Sequence, residues 1–449
     1  MFIPHTDSDR EAMLHTVGVK SLDDLFQDVP SAQRFPDLDL PPALTEMEVV
    51  SELSDLAEAN ETVRELVCFL GAGAYYHYIP AAVDQILRRS EFYTAYTPYQ
   101  PEISQGTLRA IFDYQSLITA LTGMEVSNAS HYDGATAAAE AVSMAFAHFR
   151  GKRCKVLLSP ALNPQSRQVI RTYHDGTEVQ IVGDEINGNL KDGFVSLLDQ
   201  IDGQTALVMV QYPDFFGRIY DFTALAEAVH KAGALLAISV NPLSLGILTP
   251  PGEFGADIVT GEGQSLGIPL SYGGPYLGIF ATRQEYVRKM AGRLVGETID
   301  NRGQRAYVLT LTAREQHIRR EKATSNICSN QGVMALASTV YMSLLGKNGL
   351  RQVAELCYQK AHYAAQRLAQ IPGFSLWTDT PFFHEFVLQC PKPVSELNEE
   401  LLDYGILGGY DLSQDYPELQ NFMLVAVTEM ISREDIDLLV ETLTEVCNE

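Results

Sequence analysis

Four stretches of this chain gather residue types that can do chemistry. Tyr96-Thr97-Pro98-Tyr99-Gln100-Pro101-Glu102-Ile103-Ser104-Gln105-Gly106 interleaves aromatic rings with hydroxyl, amide and carboxylate groups. Such a loop can pack Tyr96 and Tyr99 on a small molecule while Thr97, Gln100, Glu102 and Ser104 orient its polar parts. It can equally be a rigid contact loop, since aromatics with prolines are common where subunits meet. Tyr75-Tyr76-His77-Tyr78, after Gly71-Ala72-Gly73-Ala74, offers a similar mixture, in which His77 is either a hydrogen-bonded structural residue or a participant. The run from Arg314 to Asn326 is strongly basic in an acidic protein, and Lys322 or Arg320 beside Thr324, Ser325 and Asn326 suits a phosphate as well as a salt-bridged helix face. Gly134-Ala135-Thr136 opens a helix, where free backbone N–H groups face outward and bind anions.

The elements that must position these groups follow a regular order. Thr45 to Asn60 and Leu108 to Thr122 read as helices, the second amphipathic. From about residue 133 to 281 strands at 155–159, 179–182, 205–211, 235–240 and 258–260 alternate with helices at 134–149, 165–173 and 222–231. That alternation predicts a mainly parallel, doubly wound sheet, with ligands at the carboxyl ends of its strands. After residue 330 the character changes. Helices at 331–345 and 350–370 flank a break at Gly346–Gly349, and strands at 374–377, 385–389 and 423–427 alternate with helices at 395–404 and 432–446. The expected organisation is an N-terminal helical arm (1–60), a large α/β domain (61–330) and a smaller C-terminal α+β domain (331–449). The arm should open with a capping box of Ser8 and Glu11, followed by an acidic variant at Ser21 and Asp24. It reads as a segment that packs on something larger, its own chain or a partner.

Composition narrows the function classes. A formal charge of −25 on 449 residues argues against nucleic acid or an anionic membrane as partner. Six dispersed cysteines without a C-x-x-C pair fit a reducing compartment, and no zinc-like Cys/His spacing appears, so no metal is expected. Acidic residues follow Met1-Phe2-Ile3-Pro4-His5 closely, no apolar run is long enough to span a bilayer, and the expectation is a cytoplasmic protein.

The large-plus-small architecture resembles fold-type I enzymes of pyridoxal phosphate (PLP). Tyr96–Gly106, Asn128-Ala129-Ser130, Tyr132-Asp133-Gly134-Ala135-Thr136-Ala137 and Arg314–Cys328 narrow this: the chain is similar over its whole length to the P-protein family of the glycine cleavage system. It looks like the N-terminal half in those members where the P-protein is split into two subunits. In fold-type I enzymes a strand-end aspartate pairs with the pyridine nitrogen, and a lysine about 25 residues later holds the cofactor as a Schiff base. Here Ser239 and Gln264 are 25 residues apart, so the spacing is present without either group. Gly263-Gln264-Ser265-Leu266 aligns with a His-Lys-Thr-Phe stretch of the family's other subunit, with Pro269 and Pro275 in register.

The resemblance therefore implies a subunit with no catalytic residue of its own and no cofactor bound by this chain alone. PLP would sit on the partner subunit 2, in an assembly of the α2β2 kind. The pair would decarboxylate glycine, release CO2 and pass the aminomethyl group to the lipoyl arm of H-protein. Tyr96, Thr97, Tyr99, Gln100, Glu102 and Ser104 would form one wall of the site. Thr324, Ser325, Asn326 and Lys322 would reach the partner's PLP phosphate. Gly134-Ala135-Thr136 reads as a vestigial phosphate cup. A second reading is a catalytically silent PLP-fold paralogue with a regulatory or scaffold role. An autonomous enzyme would need Lys322 or Lys347 to hold PLP, and neither has an aspartate partner at the expected distance.

Overall fold

The computed structural model describes residues 4–185, 190–323, 325, 327 and 331–448. The chain divides into two compact units, Met1–Glu61 and Thr62–Glu449.

The first unit carries the helices Asp7–Val17 and Glu46–Glu58, neither with a buried residue. The first helix begins two residues earlier than the Ser8/Glu11 pattern suggests. Thr6 is the N-cap and Asp9 closes the box, because the Thr6 backbone N–H donates to Asp9 Oδ2 at 2.8 Å. Ser21 and Asp24 do pair reciprocally, around the short turn Asp23–Phe26. Thr45 and Glu48 form a further box on the second helix.

The second unit is built on a seven-stranded sheet. We number its strands β1 (Val126–Ser127), β2 (Lys155–Leu158), β3 (Gln180–Val182), β4 (Thr205–Tyr212), β5 (Leu235–Val240), β6 (Ile258–Glu262) and β7 (Gly278–Thr282). Their spatial order is β1-β7-β6-β5-β4-β2-β3. The five strands β3, β2, β4, β5 and β6 are parallel, and β7 and β1 run antiparallel to their neighbours. Burial on both faces explains the continuous apolar runs. Leu207, Met209, Leu235 and Ala237 point to one face, where they pack with Ala137–Ala145 of the helix Gly134–His148. Val208, Val210, Leu236 and Ile238 point to the other and meet Ile118 and Tyr341. One-residue alternation thus feeds two cores from the same strands.

The sheet is followed by a hairpin, Leu294–Ile299 with Arg305–Thr310, that the sequence reading passed over. It is fastened to the helix Gln105–Thr122 by two glutamines. The Gln105 side chain accepts from Tyr307 N–H at 2.9 Å and donates to its carbonyl at 2.8 Å; Gln115 does the same to Val295 at 2.9 and 3.0 Å. The expected break at Gly346–Gly349 is a single kink in one helical run, Gly332–Leu368, where Gly346 takes φ 58°.

A four-stranded antiparallel sheet (Ser375–Leu376, Glu385–Gln389, Phe422–Ala426, Tyr410–Asp411) and the helices Val394–Asp403 and Arg433–Asn448 complete the C-terminal part around its own core. Val67–Cys68 pairs in parallel with Ile406–Leu407, and Phe69 lies in that same core, so this segment packs with the C-terminal layer. Cys68, Cys154, Cys357, Cys390 and Cys447 are free thiols; Cys328 lies outside the described residues. Among the described residues no helix is long and apolar enough to cross a membrane.

Candidate functional site

A cavity of about 670 Å³ opens at the carboxyl ends of the parallel strands. Gln211 from β4, Ser239 from β5 and Glu262 from β6 lie along its floor, the start of the helix Gly134–His148 forms one side, and Gly71–Tyr75 crosses it. Ser239 stands in register between Gln211 and Thr260, one residue before the strand ends rather than at its end.

Gln264 follows β6 and is 2% exposed. Its Oε1 accepts from Tyr75 N–H at 2.9 Å, and its Nε2 donates to the carbonyls of Tyr75 and Ile268, each at 2.9 Å. The amide is thereby saturated by main chain. It works as a structural pin that fixes the Tyr75 segment over the sheet. Gly267, nearby, needs both φ 86° and the missing Cβ, because Tyr341 would lie 2.6 Å from that atom.

Glu262 was not singled out from the sequence, and it occupies the expected phosphate cup. Its Oε2 accepts from Gly134 N–H at 2.8 Å, and its Oε1 from Gln264 and Leu277 N–H at 3.0 and 3.1 Å. Burial pushes its carboxyl up to about 7, against the pull of the Gly134 and Leu277 N–H groups. The sequence signal was present but faint: one acid inside an otherwise uncharged strand and glycine-rich turn.

Tyr75 leads into a second buried polar group. Its hydroxyl donates to Glu385 Oε2 at 2.7 Å, Ala72 N–H donates to Oε1 at 2.8 Å, and burial raises Glu385 to about 7. The Tyr75 ring lies 4.6 Å from His384, which burial pushes down to about 3 and keeps neutral. His77 Nδ1 is 2.7 Å from Glu429 Oε2, and Tyr78 N–H donates to Oε1 at 2.7 Å. Burial works to raise Glu429, yet His77 and the Tyr78 N–H outweigh it and hold the carboxyl at about 2. Cys357 Sγ donates to the same Oε2 at 3.3 Å, so His77 and Cys357 meet on one oxygen of Glu429. Tyr75 and His77 are thus buried supports, Tyr76 is half-buried, and only Tyr78 is fully open to solvent.

The Tyr96–Gly106 loop lies away from the cavity: none of Tyr96, Thr97, Tyr99, Gln100, Glu102 or Ser104 lines it. Tyr96 and Ile103 project outward, 76% and 81% exposed, and Thr97 Oγ1 is buried without a hydrogen-bond partner among the described residues. Tyr99 anchors the loop: Arg293 donates to its hydroxyl at 2.7 Å, stacks on its ring and pairs with Glu315 at 3.4 Å. Tyr99 also meets His317 edge-on at 6.0 Å. The fold therefore joins this loop to the start of the basic segment, which the sequence reading treated separately. Arg293 is the connecting residue it missed.

The later part of that segment goes elsewhere. Lys322 and Ser325 line another cavity, of about 680 Å³, where the Ser325 hydroxyl donates to Glu140 Oε1 at 2.7 Å. Burial lifts Glu140 to about 7. Thr324 and Asn326 lie outside the described residues.

The sequence reading expects the PLP site of fold-type I enzymes at this cavity, and the residues found there do not fit PLP. The lysine position holds an amide engaged on three sides by main chain. The aspartate position holds Ser239, and the phosphate position holds a carboxylate.

Comparison with known proteins places the chain in a family. The sequence profile described as "Glycine cleavage system P-protein" matches residues 1–443. A protein of Thermomicrobium roseum named "Probable glycine dehydrogenase (decarboxylating) subunit 1" is 54% identical over 445 residues, with 99% of each chain covered. A like-named protein of Desulforamulus reducens is 56% identical over 442 residues, covering 98% of each. A crystal structure of glycine decarboxylase (P-protein) of the glycine cleavage system, in inhibitor-bound form, superposes with a TM-score of 0.88 at 42% identity, over 99% of this chain and 100% of that one. Glutamate decarboxylase of Lactobacillus brevis shares the fold alone, with a TM-score of 0.66 at 14% identity over 93% and 96% of the two chains.

Proposed function

The chain belongs to the glycine cleavage system P-protein family, and on that premise we propose that it is the subunit of a two-chain glycine dehydrogenase (decarboxylating) that carries no cofactor. The observation that carries the reading is Gln264. Its amide is fully used in holding Tyr75 and Ile268, so this chain offers no amine where the fold calls for one. PLP belongs to the partner subunit 2, where it supplies the electron sink for decarboxylation. The likeness to relatives named as subunit 1 supports a partner chain, in an assembly we take to be α2β2.

Within that assembly this chain's residues bind, orient and exclude water rather than react. Tyr96, Thr97, Tyr99, Gln100, Glu102 and Ser104 form the wall it lends to the partner's site. The outward exposure of Tyr96, Tyr99, Gln100 and Glu102 supports this, as does the Arg293 clamp that fixes Tyr99 from behind. Lys322, Thr324, Ser325 and Asn326 are assigned to the partner's cofactor phosphate; for Ser325 this requires release from Glu140. The substrate is glycine and the acceptor of the aminomethyl group is the lipoyl arm of H-protein.

Glycine–bicarbonate exchange in the presence of PLP and H-protein tests the reading, with this chain alone, with its lysine-bearing partner alone and with the mixture. Activity only in the mixture is expected. Full activity of the partner alone would refute the proposal and leave a scaffold or regulatory role.

A further inference from the structure

The helix Gly134–His148 starts at the cavity, and its first N–H is already engaged by a carboxylate of its own chain. Glu262 reaches it from a position 128 residues further along and gathers three N–H donors, from Gly134, Gln264 and Leu277. The contact is built in at the main chain. A Cβ on Gly134 would lie 2.8 Å from the Glu262 nitrogen and 2.9 Å from its Cα. Asp133 caps the same helix start by accepting from Thr136 N–H at 2.7 Å. Both groups are placed where the helix dipole favours negative charge.

A second observation shows that the pocket beside this point has room to bind. Ser265 lines the cavity, is 2% exposed, and its Oγ has no hydrogen-bond partner among the described residues. Among the described lining residues the charged ones are Asp133 and Glu262, and none is Lys, Arg or His. A phosphate entering here meets two carboxylates and no cation.

We propose that the carboxyl group of Glu262 occupies the phosphate position of this cavity, so that the chain turns away phosphate-bearing ligands by occupancy and not only by lacking a lysine. This adds to the function proposed above without resting on it, because binding by this chain alone is the readout and turnover plays no part.

The probe is inorganic phosphate, titrated calorimetrically into the full chain as wild type, as Glu262→Ala and as Glu399→Ala. The last removes the same charge from an exposed helix position. The expected result is one phosphate per chain for Glu262→Ala, at least about ten-fold tighter than for wild type, and no gain for Glu399→Ala. Equal binding by wild type, no gain in Glu262→Ala, or an equal gain in Glu399→Ala would each overturn the proposal. If the alanine variant fails to fold, Glu262→Ser serves with the same readout, since its hydroxyl is too short to span to Gly134.

Discussion

Replacing Gln264 by alanine tests whether this residue is a pin or merely a passive substitute for the absent lysine. The change removes three hydrogen bonds and strands Tyr75 N–H, the Tyr75 carbonyl and the Ile268 carbonyl. Each lost bond is worth about 1 kcal/mol net, and a buried group left without a partner costs about 1–3 kcal/mol. Gln264 is 2% exposed and does not itself line the cavity, so water has poor access to these groups. The expected loss is about 3–5 kcal/mol, at the top of the usual range for a point substitution. Gln264→Met separates bonds from volume, because it keeps most of the bulk and none of the polar contacts. Urea unfolding followed by far-UV circular dichroism and by the fluorescence of Trp377, the one tryptophan of the sequence, gives the free-energy change from the midpoints. A loss below about 1 kcal/mol in both variants would refute the pin. A harmless methionine beside a costly alanine would reduce its role to filling space.

Further outcomes follow from the buried acids and the exposed loop. Glu385 is raised to about 7 in the folded state, above its unfolded value, so its contribution is full at low pH and is lost as pH climbs from about 4 through 7. Glu385→Gln is expected to flatten that part of the stability–pH curve by about one proton, and an unchanged slope would contradict the assignment. Glu429, depressed to about 2, acts in the opposite sense: its contribution is present above about pH 4 and fades as pH falls toward 2. His77→Ala strands that carboxylate and should lower stability by about 3 kcal/mol near neutral pH, with denaturant midpoints as the check. Tyr96→Phe and Thr97→Ala should leave the complex assembled by gel filtration while slowing glycine–bicarbonate exchange at least about ten-fold. Unchanged rates in both would remove these residues from the site.

What the sequence made legible was set by range along the chain. The strands β4 and β5 were readable because burial on both faces demands an unbroken apolar run, and the Gly346 kink because glycine interrupts a helical pattern. The absence of a lysine at Gln264 was equally plain. What Gln264 does instead was not, since its partner Tyr75 lies 189 positions away and no local pattern announces it. Glu262 escaped notice for the same reason: its meaning comes from Gly134, which only the folded sheet brings near. The Thr6 cap shows the opposite limit. Local competition among Thr6, Ser8, Asp9 and Glu11 is decided by a two-residue offset, which spacing alone does not resolve. Arg293 carried no motif, yet it ties together two segments that did.

Gln105, Gln115 and Gln264 share a habit. Each side chain offers one donor and one acceptor to the N–H and C=O of a single distant residue, and so impersonates a neighbouring peptide unit. Few residues can take over that part. Glutamate has no donor when ionised, asparagine is one methylene short, and lysine has no acceptor. Replacing Gln264 by lysine would thus undo a main-chain contact before it offered a reactive amine. An amine at this position would also need new partners for the Tyr75 and Ile268 backbone groups that Gln264 now satisfies.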